Sequence, residues 1–148
     1  MMPWKILVSI ATYNERENIE RLVAAVRESV SGIHVLVIDD GSPDGTGQWC
    51  ELFGDEQDWF HYIQRGSKQG LGSATLCGMQ YAVEQGYDLW IGMDADFSHP
   101  PERLPAMIAA IGDRKTPEAD VVIGSRCCPG GGVDGWPWKR RVMSRCVN

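Results

Sequence analysis

The stretch HVLVIDDGSPDGT, residues 34–46, is the part of the sequence that says most about the fold. It opens with a short run of Val, Leu and Ile, the composition of a parallel strand that is covered on both faces. The run stops at Asp39-Asp40, and the Gly, Ser, Pro and Asp residues that follow are typical of a tight turn before a helix. The stretch therefore predicts a buried strand that delivers polar residues to the carboxyl edge of a sheet.

Four more apolar runs on either side of this stretch predict further strands, and helical patterns separate them. The runs are residues 5–10, 59–63, 88–93 and 120–123. Ile19, Leu22, Val23 and Val26 recur at helical spacing after the first run, and Asn14, three residues before Glu17, is placed like the start of a capping box. Further helices are expected from Thr46 to about Leu52, along one face that contains Ala74, Cys77, Tyr81 and Ala82, and from Pro100-Pro101, with Leu104, Met107, Ile108 and Ile111 buried. This βαβαβαβαβ order predicts an α/β fold with an open, mostly parallel sheet and helices on both faces.

Composition and charge limit the class of protein. The 148 residues are 43% hydrophobic and 23% charged, which indicates one globular domain over residues 1–148 and excludes a disordered or fibrous chain. Residues 1–125 carry a net charge of -10, and residues 126–148 carry +4. The acidic body argues against nucleic acid as a partner, while the basic end predicts an anionic partner.

The cysteines and the apolar runs bear on location. Five cysteines without a C-x-x-C pair give neither a disulfide framework nor a zinc ribbon. No signal peptide pattern opens the chain, so a reduced, cytoplasmic setting is expected. No apolar stretch approaches the ~20 residues of a membrane span, so either the protein is soluble or its membrane part lies outside this chain.

Asp94-x-Asp96 at the end of an apolar run predicts a metal site. Two neighbouring carboxylates repel unless a cation lies between them. Hard oxygen ligands at the end of a strand suit Mg²⁺ or Mn²⁺, which take further ligands from water and substrate phosphates. The alternative is that both carboxylates cap the helix that starts near Pro100.

Two other loops have a functional and a structural interpretation. One of Asp39 and Asp40 accepts hydrogen bonds from a base or ribose, or the loop is a solvated turn with Asp44 or Thr46 as N-cap. The glycine-rich residues 66–74 match neither the P-loop nor the dinucleotide fingerprint. Lys68 in this loop either holds an anion near a helix N-terminus or is solvated.

The basic end offers phosphate recognition or contact with a membrane. Arginine suits bidentate binding of phosphate, and mixed aromatic and basic residues suit a membrane interface. The relevant residues are Arg126, Trp136, Trp138, Lys139, Arg140, Arg141, Ser144 and Arg145. The alternative is a solvated helix face, which is favoured for Lys139, Arg141 and Arg145.

Taken together and in order, these motifs resemble a known family. The motifs are Thr12-Tyr13-Asn14-Glu15, the 39–46 loop, Lys68-x-Gly70-Leu71-Gly72-x-Ala74, Asp94-Ala95-Asp96-x-Ser98-His99-Pro100-Pro101-Glu102, Gly124-Ser125-Arg126, residues 131–136 and Arg140-x-x-x-Ser144-Arg145. The chain resembles the family 2 glycosyltransferases, and within them the dolichyl-phosphate (polyprenol-phosphate) mannose synthase branch. The resemblance implies the GT-A fold, a Rossmann-like nucleotide-diphospho-sugar transferase architecture.

The resemblance also implies a role for each matching residue. Tyr13, Glu15 and Asp39 line the nucleotide pocket with Asp40 and Asp44 close by, Lys68 lies near the nucleotide and its phosphates, and Asp94 and Asp96 hold Mg²⁺ or Mn²⁺. Asp96, Arg126 and Arg140 serve catalysis, while Arg126, Arg140 and Ser144 bind the donor diphosphate and the acceptor phosphate. Cys127 stands where the family usually has Tyr, and Ser98 stands where some members have a Gln ligand.

The implied reaction is transfer of mannose from GDP-mannose to a polyprenyl phosphate with inversion. It implies a peripheral or C-terminally anchored protein on the cytoplasmic face of a membrane. The family's domain continues past the equivalent of Asn148, so we expect this chain to be a fragment. Three alternatives remain open: another nucleotide sugar such as UDP-glucose, a nucleotidyltransferase, and an inactive nucleotide-binding fragment.

Overall fold

Four parallel strands form the central sheet of the computed structural model, which describes residues 4–125 and residue 132. Their order across the sheet is β3-β2-β1-β4. The strands are β1 (Ile6–Thr12), β2 (His34–Asp39), β3 (Phe60–Gln64) and β4 (Leu89–Asp94). The helices are α1 (Arg16–Ser29), α2 (Thr46–Gly54), α3 (Leu71–Glu84) and α4 (Leu104–Ile111). A 3₁₀ turn at Pro101–Arg103 precedes α4. A short antiparallel hairpin follows α4, with two residues in each strand: β5 (Gly112–Asp113) and β6 (Thr116–Pro117).

The core has two halves because the central strands are covered on both faces. On one face, Ile6, Val8 and Ile10 of β1 pack with Leu22 and Val26 of α1. On the other face, a smaller cluster is formed by Leu7, Leu36, Ile38, Ala74 and Ala82, the last two from α3. Successive side chains of a strand point to opposite faces of the sheet. A strand that is covered on both faces therefore needs apolar residues at consecutive positions rather than at every second one. The predicted α/β class with a parallel sheet is confirmed.

The register of the sheet brings the ends of all four strands level. Thr12 pairs with Asp39, Ala11 pairs with Asp94, and Asp39 pairs with Gln64. Since the strands are parallel, the loops that follow them emerge at one edge, which we call the carboxyl edge. The register therefore gathers the polar motifs of the sequence at one place.

Two predictions about the last third of the chain need correction. Residues 120–123 are not a strand, and Val121 and Ile123 are 73% and 81% exposed. An extended apolar segment becomes a strand only when a neighbouring backbone takes its hydrogen bonds, and no described strand pairs with this one. The fourth helix starts as the 3₁₀ turn and buries only Leu104 fully, while Met107, Ile108 and Ile111 are half-buried. Within residues 4–125, no helix has the length and apolar content needed to cross a membrane.

A cluster of two histidines and a tyrosine lies at the opposite, amino-terminal edge of the sheet. His34 Nδ1 is 3.3 Å from His61 Nε2, and the Tyr87 hydroxyl is 3.0 Å from the first nitrogen and 3.1 Å from the second. Burial lowers the pKa of both imidazoles, and the charges of Lys5 and Arg27 lower that of His34 further. The charges of His34 and Lys5 likewise lower the pKa of His61 further, so both imidazoles favour the neutral form.

We expect this cluster to make stability depend on pH below neutrality. Because both folded-state pKa values lie below the ordinary value of about 6.5, the unfolded chain binds more protons as pH falls through that value. The free energy of unfolding from urea titrations should therefore be lower at pH 5.5 than at pH 7.5. A His34→Gln/His61→Gln double variant should lose most of this difference, and an unchanged difference in that variant would contradict the assignment.

Candidate functional site

Tyr13 and Lys68 come together at the carboxyl edge. Tyr13 follows β1, Lys68 follows β3, and the Lys68 ammonium lies 4.1 Å from the centroid of the Tyr13 ring. Tyr13 is 39% exposed and Lys68 is also exposed, so an aromatic face and a cation are presented together to solvent. The half-buried Glu15 is two residues from Tyr13 in the chain and accepts a hydrogen bond from the Asn18 side-chain amide at 2.8 Å. This combination suits a planar base with an attached anionic group.

The loop after β2 holds the loop after β1 in place. Ser42 Oγ accepts the Asn14 N–H at 2.8 Å, and Thr46 Oγ1 accepts the Glu15 N–H at 3.1 Å. Asp44 Oδ2 accepts the Arg16 N–H at 2.9 Å. The N–H groups of Asn14, Glu15 and Arg16, where the chain enters α1, are thus taken up by side chains from a different loop.

The predicted capping box at the start of α1 is therefore wrong. The N-cap residue is Glu15, which makes no side-chain capping bond, and Asn14 has a left-handed backbone with φ 62°. The sequence pattern failed because the capping groups are remote in sequence, 28 to 31 residues away.

Asp44 also organises its own loop. Its Oδ1 accepts the Thr46 N–H at 3.0 Å and the Thr46 hydroxyl at 2.6 Å. Desolvation alone would raise the pKa of this carboxyl, but the hydrogen bonds from Thr46 and from the Arg16 N–H outweigh it and lower the pKa. Asp44 is therefore held as a carboxylate that accepts N–H groups from two chain segments. The alternative of Asp44 or Thr46 as N-cap of α2 is wrong, because Gly45, with φ 92°, is the N-cap residue.

Asp39 is buried, with no exposed surface, and its carboxylate is directed at protein donors. Its Oδ1 accepts the hydroxyls of Thr12, at 2.9 Å, and of Ser42, while Oδ2 accepts the Ser42 N–H at 2.8 Å. The helix that follows comes close as well, since a Cβ at Gly47 would collide with the Tyr62 hydroxyl and lie 3.5 Å from Asp39 Oδ2. Asp39 thus joins the ends of β1 and β2 to the loop.

Asp40 is paired with a residue that sequence reasoning missed. Arg65, directly after β3, forms a buried ion pair with Asp40, and Asp40 Oδ2 accepts the N–H groups of Gln69 and Gly70. The available signal was an arginine between an apolar run and a glycine-rich loop, but the sequence does not show which carboxylate it meets. Both acidic residues of the Asp39-Asp40 pair are therefore engaged within the protein.

Asp94 and Asp96 differ from these aspartates because they face solvent. The Asp94 side chain is 43% exposed, and Asp96 is exposed. The Asp94 N–H donates to His99 Nδ1 at 3.1 Å, and Asp96 Oδ1 accepts the Ser98 N–H at 2.9 Å. Hydrogen bonds from Ser98 lower the pKa of Asp96, so this carboxyl is ionised near neutral pH.

The exposed carboxylates fit a hard divalent cation. Within the described part of the chain, no group of three or more His, Cys, Asp or Glu side chains converges on one point. A cation held by Asp94 and Asp96 would therefore take its other ligands from water and substrate oxygens, as Mg²⁺ and Mn²⁺ do. The oxygen-only donor set and the exposure of both side chains agree with that chemistry.

Two cavities open near these residues. One of about 230 Å³ is lined by residues of α3, β1, β2 and β4 together with Asp94 and His99. The other, of about 570 Å³, lies at the start of α1 against Pro43 and Asp44. Three predicted site residues, Arg126, Arg140 and Ser144, lie outside the described residues.

Comparison with known proteins gives consistent matches. A model of the family described as "Glycosyl transferase family 2" matches residues 7–147. The chain is 46% identical over 145 residues to the polyprenol monophosphomannose synthase of Mycolicibacterium smegmatis, covering 97% of this chain and 53% of that protein. It is 43% identical over 140 residues to the undecaprenyl-phosphate mannosyltransferase of Micrococcus luteus, covering 95% and 56%. The chain thus spans about half the length of these relatives.

A solved structure shares the fold. The mannosyltransferase PcManGT from Pyrobaculum calidifontis, solved in complex with GDP-Man and Mn²⁺, superimposes with a TM-score of 0.62 at 21% identity. The match covers 75% of this chain and 36% of that one. At this identity the likeness establishes the architecture.

Asp44→Ala is expected to destabilise the protein by about 1 kcal/mol, because it removes acceptors from N–H groups at the starts of both α1 and α2. Urea unfolding at pH 7.5 measures the change. Asp58→Ala, at an exposed aspartate in the loop between α2 and β3, is the control and should change stability by less than about 0.5 kcal/mol. Equal losses in the two variants would contradict the capping role.

Proposed function

Since the chain belongs to glycosyl transferase family 2, we propose that the protein transfers mannose from GDP-mannose to a polyprenyl phosphate. The observation that carries this proposal is the 46% identity to a polyprenol monophosphomannose synthase over 97% of the chain. The site supports it, because an aromatic face, a lysine and two solvent-facing carboxylates share the carboxyl edge of a parallel sheet. The products are polyprenyl-phosphate mannose and GDP.

The donor nucleotide is proposed to occupy the edge between β1 and β4. Tyr13 and Glu15 contact the base and ribose, and Lys68 compensates the charge of the phosphates. Asp39, Asp40 and Asp44 shape this pocket by fixing its loops, since their carboxylates are directed at protein donors. Tyr13 and Lys68, which already touch, form the side of the pocket nearest to α3.

Asp94 and Asp96 are proposed to hold Mg²⁺ or Mn²⁺. Such an ion, when bound, supplies Lewis-acid stabilisation of charge on the departing diphosphate. The Ser98 N–H keeps Asp96 oriented and ionised, and His99 accepts the backbone N–H of Asp94 and so fixes the end of β4. These contacts leave carboxylate lone pairs of both aspartates facing outward.

The acceptor needs little help from a general base. A phosphate monoester has a second pKa of about 6, so a polyprenyl phosphate is largely dianionic at neutral pH. A phosphate oxygen forms the new bond to the anomeric carbon while the bond from that carbon to the GDP oxygen breaks, and the electron pair leaves with GDP. In-line attack inverts the carbon and gives a β-linked product from an α-linked donor.

The main requirement is to bring two anions together. Arg126, Arg140 and Ser144 are proposed to bind the donor diphosphate and the acceptor phosphate, in keeping with the net charge of +4 in residues 126–148. The lipid tail of the acceptor places the reaction at a membrane surface, for which the cytoplasmic face is proposed.

The test is transfer of radiolabel from GDP-mannose to polyprenyl phosphate by the full-length protein with Mg²⁺ or Mn²⁺. We expect label in the lipid-soluble fraction, loss of transfer with EDTA, and recovery when either metal is restored. Asp94→Asn and Asp96→Asn should each lower kcat by on the order of 100-fold or more, while the exposed-site control Asp58→Asn should retain activity.

Other outcomes separate the alternatives. Lipid-soluble label from UDP-glucose and none from GDP-mannose would assign another donor. Nucleotide binding without any lipid-soluble label from either donor would overturn the transferase proposal in favour of a binding role.

A further inference from the structure

A buried ion pair joins the loop after β2 to the loop that carries Lys68. Asp40 and Arg65 are 7% and 9% exposed, and an Arg65 Nη2 atom contacts Asp40 Oδ1. Neither charge is accessible enough to serve as a surface contact. Removing either partner would leave an uncompensated buried charge, which is strongly destabilising.

Both partners of the pair also form hydrogen bonds with the residues that follow Lys68, namely the backbone of Gln69 and Gly70 and the first turn of α3. Asp40 Oδ2 accepts the N–H groups of Gln69 at 3.0 Å and Gly70 at 3.1 Å. Arg65 Nη2 donates to the Gly70 carbonyl at 3.3 Å, and Nη1 donates to Ser73 Oγ at 2.7 Å. The five-residue segment 66–70 is thus closed by the pair at both of its ends.

The two loops also meet through their backbones. The Arg65 N–H donates to the Asp39 carbonyl at 2.8 Å. Gly41 has φ +75°, and a Cβ there would lie 3.3 Å from the Arg65 carbonyl oxygen. A side chain at Gly41 would therefore push against the residue that anchors segment 66–70.

Lys68 lies in the middle of this closed segment. It is exposed, and its ammonium is positioned over the Tyr13 ring at 4.1 Å. A lysine side chain has four rotatable bonds, so its placement near a phosphate depends on where the backbone is held. The geometry of segment 66–70 therefore fixes the point from which the Lys68 side chain extends.

We propose that Asp40 and Arg65 are positioning residues, which set Lys68 against the donor phosphates without touching the donor themselves. This inference rests on the proposed function, and it gives the second aspartate of the Asp39-Asp40 pair a different task from nucleotide contact. It predicts that the effect of Arg65 on nucleotide affinity passes through Lys68.

A double-mutant cycle on the full-length protein tests that dependence. Arg65→Lys keeps the charge but loses the forked hydrogen bonds to Ser73 and Gly70. We expect it to raise the Kd for GDP about tenfold in the wild-type background and by less than about twofold in a Lys68→Met background, because coupled residues are not additive. Calorimetry with GDP and with UDP supplies the affinities.

Two further variants guard against misfolding and general loosening. Ser73→Ala removes the 2.7 Å hydrogen bond from Arg65 together with the longer 3.4 Å bond to Gln69 Oε1, and it should weaken GDP binding in the same direction by a smaller factor. Arg114→Lys is the matched control. Arg114 forms an ion pair with Asp88, with 2.5 Å between Nη2 and Oδ1, and this pair lies away from the carboxyl edge. Hydrogen–deuterium exchange of the Gln69 and Gly70 amides should become faster in Arg65→Lys and remain unchanged in Arg114→Lys.

The results distinguish this inference from the function on which it rests. The wild-type protein could transfer mannose while Arg65→Lys raises the Kd for GDP by the same factor with Lys68 and with Lys68→Met. That result overturns the positioning role alone. Unchanged amide exchange in Arg65→Lys overturns it as well. A wild-type protein that binds neither GDP nor UDP overturns both proposals.

Discussion

The acceptor oxygens of the loop after β2 are the constraint on which the carboxyl edge depends. Ser42, Thr46 and Asp44 take up the N–H groups that begin α1, and Asp40 takes up two N–H groups before α3. These hydrogen bonds are partly buried at Glu15, Gln69 and Gly70 and exposed at Asn14 and Arg16, and each adds a net stabilisation of about 0.5–1.5 kcal/mol. The loops after β1 and β3 therefore settle into the geometry that reaches these oxygens. Tyr13 and Lys68, one on each of the two flanking loops, are brought together by a loop that lies between them.

The parallel ladder gives this loop its two neighbours. β2 lies between β1 and β3, so the loops after all three strands leave the sheet side by side. β4 pairs with the other side of β1, and its Asp94 is level with Ala11. A shift of one residue in that register would turn the Asp94 side chain to the other face of the sheet. The apolar side chains that bury β1 on both faces prevent such a shift. The packing of the core therefore fixes the position of Asp94 in the site.

The elements of this fold that can be predicted from the sequence are those that depend on the local spacing of apolar residues. The strands β1 to β4 and the helices between them follow from short apolar runs and from helical spacing such as that of Ile19, Leu22 and Val26. The run at residues 120–123 has the same local character but remains extended and exposed, because a strand also needs a partner, and partners are a tertiary property.

The chemistry of the site is predictable only in part for the same reason. Sequence gathers the motifs at one edge, since strand ends in a parallel sheet must share it. It does not tell which acidic residue is buried. Asp39-Asp40 and Asp94-x-Asp96 have similar local patterns, yet the first pair is enclosed by hydroxyls, N–H groups and Arg65, and the second faces solvent. That difference depends on residues up to 30 positions away.

The enclosure of the first pair determines what the second pair can do. The charge of Asp40 is compensated by Arg65 within the protein, and Asp39 is buried among hydroxyl and N–H donors, so neither carboxylate is open to a ligand. Asp94 Oδ2 lies 3.9 Å from His99 Nε2 and Asp96 Oδ1 accepts the Ser98 N–H, but both side chains face solvent in a segment, residues 1–125, with a net charge of -10. An anionic ligand at this edge meets the carboxylates of Asp94, Asp96 and Glu15, which have its own sign, and the ammonium of Lys68. Without added positive charge the two would repel, so the described edge is suited to an anionic donor only together with a cation.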